Sequence, residues 1–156
     1  MNQNKIIKLI ISILICQAAG LVGSLFTAPV IGAWYATLQK PGFNPPDFVF
    51  APVWTILFLL MGLSLYLVWV QEVRIAKTAL VVFGLQLLLN ILWSYLFFGL
   101  KSPVYGMIEI LFLWLAILTT IIAFYRVSRL ASFLLLPYIF WVSFAAILNF
   151  FIWRLN

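Results

Sequence analysis

Five long apolar stretches alternate with short polar ones along this chain: residues 9–26, 51–70, 78–100, 104–125 and 130–153. A helix of about 20 apolar residues, rising 1.5 Å each, crosses a hydrocarbon core about 30 Å thick. In lipid such a stretch must satisfy its own backbone N–H and C=O groups, so helix is the form each one takes. The links "QEVRIAK", "KSP" and "RVSR" are short, which makes successive helices antiparallel neighbours. The pattern therefore predicts an all-α membrane bundle of five transmembrane helices, a single domain over residues 1–156.

One connection breaks the pattern. Between residues 27 and 50 lies most of "WYATLQKPGFNPPDFVFAPVWT", which spans 34–55. Prolines restrict its backbone and lower the entropy lost on ordering. A disordered linker would be polar and poor in aromatics, whereas this one carries Trp34, Tyr35, Phe43, Phe48 and Phe50. It reads as an ordered first loop, folded as a lid over the mouth of the bundle.

Composition agrees with the bilayer as solvent. The chain is 67% hydrophobic and 8% charged, against about 45–50% and 25% in soluble domains. The net charge of +6 comes from single or paired cations between apolar runs, which is a topology signal and not a nucleic-acid surface. Lys5, Lys8, Arg74, Lys77, Arg126 and Arg129 fall on one side; Lys40, Lys101 and Arg154 fall on the other. This bias predicts a cytoplasmic N-terminus, with the first loop and the C-terminus outside. The first stretch exceeds a signal-peptide core and lacks a small-residue cleavage site, so it is expected to be retained. With no histidine and only Cys16 as cysteine, a Cys/His zinc site, an intrachain disulfide and histidine ligation of haem are excluded. No metal site is expected.

Polar residues at membrane depth mark helix contacts or pockets. Gln17, Gly20, Ser24 and Thr27 share a face of the first helix, and Gly20 with Ser24 suits close helix packing. Gln86, Asn90, Trp93 and Phe97 share a face of the third; Asn90 either glues helices or lines a polar-aromatic pocket. Glu109 reads first as a structural carboxyl bonded to a neighbouring helix, with a proton or cation site as the alternative. On the fifth helix Trp141, Ala145 and Asn149 are spaced by four, so Ala145 leaves a hollow one turn from a large indole. Trp69 and Trp153, at helix ends, fit interfacial anchors, whereas Trp54 and Trp141 fit that role less well.

The blocks "WYATLQKPGFNPPDFVFAPVWTILFLLMG", "LNILWSYLFFG" and "PYIFWVSFAAILNFFIWRLN" resemble the TspO/MBR family, the tryptophan-rich sensory proteins related to the translocator protein or peripheral-type benzodiazepine receptor. The resemblance covers nearly the whole chain. It implies a five-helix bundle, commonly a homodimer, with a pocket beneath the first loop that binds porphyrins such as protoporphyrin IX and haem. It implies that Tyr35, Trp54, Asn90, Trp93, Trp141 and Ala145 line the pocket. It further implies that Trp54 and Trp141, in "PVWT" and "PYIFW" contexts, take part in light-dependent porphyrin breakdown if that occurs. The chain departs from animal members at Phe150, where their sterol-recognition segment has tyrosine, so no dedicated sterol site is expected. It departs again at Asn44 and Asp47, where they carry histidines.

The leading expectation is thus a membrane receptor for tetrapyrroles with a sensory or regulatory role and no required cofactor. A flat macrocycle would stack on Trp54, Trp93 and Trp141, with its carboxylates near Lys40 or loop N–H groups. A light- and oxygen-dependent porphyrin-degrading activity is the first alternative. Transport of porphyrin or another lipophile is the second, disfavoured by the absence of an inverted repeat in the sequence. The inventory shows no hydrolytic triad, metal cluster or phosphate loop.

Overall fold

A computed structural model describes residues 3–71 and 73–156; Glu72, within the "QEVRIAK" link, lies outside the described residues. The helices are α1 (Gln3–Ile31), α2 (Trp34–Thr37), α3 (Phe50–Trp69), α4 (Arg74–Ser94), α5 (Pro103–Tyr125), α6 (Arg129–Leu134) and α7 (Leu136–Leu155). No strand occurs among the described residues. Among the described residues five spans are long and apolar enough to cross a membrane: α1, α3 with its leading turn, α4 with its trailing turn, α5, and α6 with α7.

Three boundaries differ from the apolar pattern. The first span is a helix of 29 residues and runs through Pro29, so Pro29 stiffens the end of α1 and not the loop. A proline this close to the helix end removes one backbone bond without ending the helix. The third span does not end as plain α-helix: residues Tyr95–Gly99 form a π turn, with the Leu100 N–H donating to the Tyr95 carbonyl at 2.8 Å and Ser102 to Phe97 at 3.1 Å. The fifth span is broken at Leu135. Pro137 stands just inside α7, where it lacks the N–H that would bond back into α6.

Small residues set the helix spacing. A Cβ on Gly62 of α3 would fall 2.8 Å from the Ile13 Cα of α1, and one on Gly106 of α5 would fall 2.7 Å from Phe97 and 2.9 Å from the Asn149 Oδ1. Such backbone approach is how helices associate where lipid supplies no hydrophobic drive. The expected pairing through Gly20 and Ser24 holds only in part. Gly20 meets the Phe58 ring and Gly23 faces Ser94, whereas Ser24 is exposed and its hydroxyl bonds its own helix at Leu21.

A buried polar chain ties α3, α4 and α7 together. Asn90 Nδ2 donates to the Tyr138 hydroxyl at 2.8 Å, that hydroxyl donates to Gln86 Oε1 at 2.9 Å, and Gln86 Nε2 lies 3.9 Å from the Met61 sulfur. Buried polar groups in lipid hold only when satisfied in this way. Glu109 departs from expectation: it is 5% exposed, yet neither carboxylate oxygen has a hydrogen-bond partner among the described residues.

Candidate functional site

Residues of α1, α3, α4 and α7, with the first loop and the π turn, line a cavity of about 620 Å³. Tyr35, Trp54, Asn90, Trp93, Trp141 and Ala145 all border it. Each is placed by its element. Trp54 sits one turn into α3, its ring 6.3 Å from Tyr138 and 5.6 Å from Phe58. Asn90 reaches the floor from α4, oriented by its bond to Tyr138. Asn90 thus both joins helices and lines the pocket. Trp93 stacks on Phe97 at 5.3 Å, while its indole N–H donates to Asn149 Oδ1 at 3.3 Å. Asn149 in turn donates to the Pro103 carbonyl at 2.8 Å, and the missing side chain of Gly106 leaves room for it. Ala145 and Trp141, four positions apart on α7, both border the cavity.

The Trp141 indole is packed edge-on against Phe50 at 6.1 Å and tilted against Phe144 at 5.5 Å. Its N–H is buried without an acceptor among the described residues. A buried donor in that condition carries a desolvation cost of about 1–3 kcal/mol, which an acceptor on a bound molecule would relieve.

The lid is ordered by contacts to α7 and to the π turn. Phe43 lies edge-on to Phe151 at 5.5 Å and to Phe144 at 6.3 Å. The Asn156 side chain grips the loop backbone at one residue: the Gln39 N–H donates to its Oδ1 at 3.0 Å, and its Nδ2 donates to the Gln39 carbonyl at 2.9 Å. Underneath, Tyr35 is 3% exposed and packs on Phe97 and Phe98, and its hydroxyl donates to Asn44 Oδ1 at 2.9 Å. Burial first, and then the negative charge of Asp47, push the Tyr35 phenol well above the ordinary phenol range. Trp34 meets Phe97 edge-on at 5.8 Å.

Several bordering residues escape the sequence patterns. Phe98 joins Phe97 in facing the cavity because the π turn inserts a residue, so two successive side chains point inward. Asp47 borders the mouth and is exposed. Lys40, in contrast, does not border the cavity: its ammonium lies 4.7 Å over the Tyr35 ring and donates to the Leu38 carbonyl at 3.3 Å. The charge on the cavity wall is therefore acidic, not basic. Among the described residues no group of three or more His, Cys, Asp or Glu side chains is arranged to hold a metal ion.

Residues 12–154 match the TspO/MBR family. The chain is 48% identical to the tryptophan-rich protein TspO of Chlorobaculum tepidum, over 100% of this chain and 99% of that one. It is 46% identical to the tryptophan-rich protein TspO of Archaeoglobus fulgidus, over 97% and 98%. It is 41% identical to the translocator protein of Homo sapiens, over 86% of this chain and 82% of that one.

Proposed function

This chain belongs to the TspO/MBR family, and from that premise we propose that it is a sensory or regulatory membrane receptor that binds a tetrapyrrole beneath its first loop. The observation that carries this reading is one cavity, of about 620 Å³, that collects three indoles and the Asn90 amide under a pinned lid. Its volume lies within the roughly 300–1,000 Å³ of small-molecule pockets, which are mostly apolar with a few placed polar groups. Indole faces and edges suit a flat aromatic macrocycle. The unpartnered Trp141 N–H suits an acceptor on its rim.

The wall charge refines how such a ligand sits. With Asp47 at the mouth and Lys40 held over Tyr35, propionates would face away from the acidic side. They would meet loop N–H groups or water. Haem would bind without an imidazole, since the chain has no histidine. Under the same reading the six-cation end faces the cytoplasm, the lid and C-terminus lie outside, and two copies pair as a homodimer.

A light- and oxygen-dependent breakdown of porphyrin is the second reading. It is favoured by one observation: Trp54 and Trp141, both oxidisable, border the same cavity.

Titration of protoporphyrin IX against tryptophan fluorescence tests the first reading. Saturable quenching is expected, weakened in a Trp54→Phe, Trp141→Phe double variant; unchanged affinity in that variant would remove the proposed wall. Illuminated and dark samples of bound porphyrin, compared by absorbance, test the second. Loss at the same rate with and without protein ends it.

A further inference from the structure

The end of the bundle away from the lid carries a cleft of its own, about 310 Å³ in volume, between the first turns of α1 and the end of α3. Asn4, Ile7, Lys8 and Ile11 of α1 border it. Their spacing of i, i+3, i+4 and i+7 puts them on one face of the helix. Lys5 borders it beside Asn4, and Trp69 closes it from α3. The cleft changes character along α1. Its outer part is polar, at Asn4 and Lys5, both exposed. Its inner part is apolar, at Ile7 and Ile11, which are 53% and 37% exposed. Trp69 is the last residue of the second membrane-crossing segment, the depth at which indoles sit level with lipid headgroups.

Lys8 is held in place at the head of this cleft. Its ammonium donates to the Trp69 carbonyl at 3.4 Å and lies 5.9 Å from the centre of the Trp69 ring. That carbonyl belongs to the last turn of α3, where carbonyls have no partner within the helix and a cation offsets the helix dipole. An ammonium has three protons to donate, so one bond to Trp69 leaves two for another acceptor. The surrounding charge has the same sign. Of the chain's three acids, Asp47, Glu72 and Glu109, only Glu72 belongs to a link at this end, against six cations. The cleft thus combines a cationic head, an indole collar and an apolar track, all at the membrane boundary. An acidic phospholipid has the matching charge and shape, whereas a zwitterionic one brings an ammonium that the lysines repel.

We propose that this cleft is a binding site for one acidic phospholipid, with the phosphate between Lys5 and Lys8 and an acyl chain along Ile7 and Ile11. Bound there, the lipid bridges α1 and α3 at the end of the bundle opposite the lid. The site shares no lining residue with the cavity under the lid, so it does not depend on what that cavity holds.

The test is native mass spectrometry of the full chain, released from micelles doped with phosphatidylglycerol or, at the same mole fraction, phosphatidylcholine. The parent should retain one phosphatidylglycerol in preference to phosphatidylcholine. Each cation at an anionic lipid surface is worth about fivefold in affinity. Lys5→Gln should therefore weaken phosphatidylglycerol binding about fivefold, and Lys5→Gln with Lys8→Gln roughly thirtyfold. Lys5 is exposed, so its replacement leaves the α1–α3 packing intact, and Lys8→Arg, which keeps the charge, should bind like the parent. Lys77→Gln with Arg126→Gln removes two charges from the same end but outside the cleft, and should also bind like the parent. Equal retention of the two lipids by the parent overturns the site. So does parent-like binding in Lys5→Gln, or a loss in the Lys77, Arg126 pair equal to that in the cleft pair, which would make the effect diffuse surface charge. Displacement of the lipid by millimolar glycerol 3-phosphate would assign the cleft to a soluble phosphate and overturn the lipid as its occupant.

Discussion

Removal of the Asn156 clasp is a direct probe of the lid. Asn156→Ala deletes the acceptor for the Gln39 N–H and the donor to the Gln39 carbonyl, at 3.0 and 2.9 Å. A hydrogen bond contributes a net 0.5–1.5 kcal/mol or so, and an exposed pair belongs at the lower end. Two such bonds amount to about 1 kcal/mol, or about a fivefold shift in a local opening equilibrium. The lid would still be held by Phe43 on Phe144 and Phe151 and by Tyr35 on Asn44, so the helices should be unaffected. Hydrogen exchange on protein in nanodiscs reads this directly. The Gln39 amide should exchange about fivefold faster in Asn156→Ala, with α3 and α5 unchanged. Asn156→Asp keeps the acceptor and loses the donor, so it should fall between. Exchange at Gln39 equal to the parent in both variants would refute the clasp as the element that holds the lid.

Three further outcomes follow from the packing. Tyr138→Phe leaves Asn90 Nδ2 and Gln86 Oε1 without the hydroxyl that joins them; thermal unfolding in detergent should show a loss of about 1–3 kcal/mol per orphaned group. Gly62→Ala drives a methyl to 2.8 Å from the Ile13 Cα, whereas the Cβ of Gly84→Ala meets nothing within 4 Å. The first should destabilise by about 1–3 kcal/mol and the second should be neutral or stabilising by up to about 1 kcal/mol. The raised Tyr35 phenol keeps its proton and its bond to Asn44. Its stabilisation is fully present below about pH 10, the unfolded value, and is lost as pH rises through the higher folded value. Ultraviolet titration of the native protein should therefore show a late phenol component that shrinks by one residue in Tyr35→Phe, and a Tyr35 that titrates with the ordinary phenols contradicts the buried placement.

Much of the bundle was legible in the sequence because membrane helices announce themselves by length and apolarity alone. Where the sequence pattern misled, local backbone chemistry was the cause. Pro29 looked like a loop residue, but a proline near a helix C-terminus is tolerated, and α1 runs through it. The apolar stretch 130–153 reads as one helix, whereas the structure breaks it at Leu135, with Pro137 just inside α7. The wall residues Trp54, Asn90, Trp93, Trp141 and Ala145 were legible from helical spacing and from the family resemblance. Phe98 was not, since nothing in "WSYLFFGL" distinguishes a π turn from an α turn. The clasp from Asn156 to Gln39 spans 117 positions and has no local signature. Lys40 illustrates the opposite error: a lone cation near a mouth invites pairing with an anionic ligand, yet it folds onto Tyr35.

If the proposed ligand occupies the cavity under the lid, Ala145→Phe should exclude it. Ala145 borders the back wall, and a phenyl ring there occupies the space that a macrocycle would use while leaving the Asn90–Tyr138–Gln86 chain in place. Wild-type protein and Ala145→Phe, matched for thermal stability in nanodiscs, would be titrated with protoporphyrin IX and followed by the Soret band. Saturable binding to the wild type is expected, with a loss of at least about tenfold in affinity in the variant, the cost of blocking one well-packed aromatic site. Binding of equal affinity and stoichiometry in both would place the ligand elsewhere and contradict the proposal.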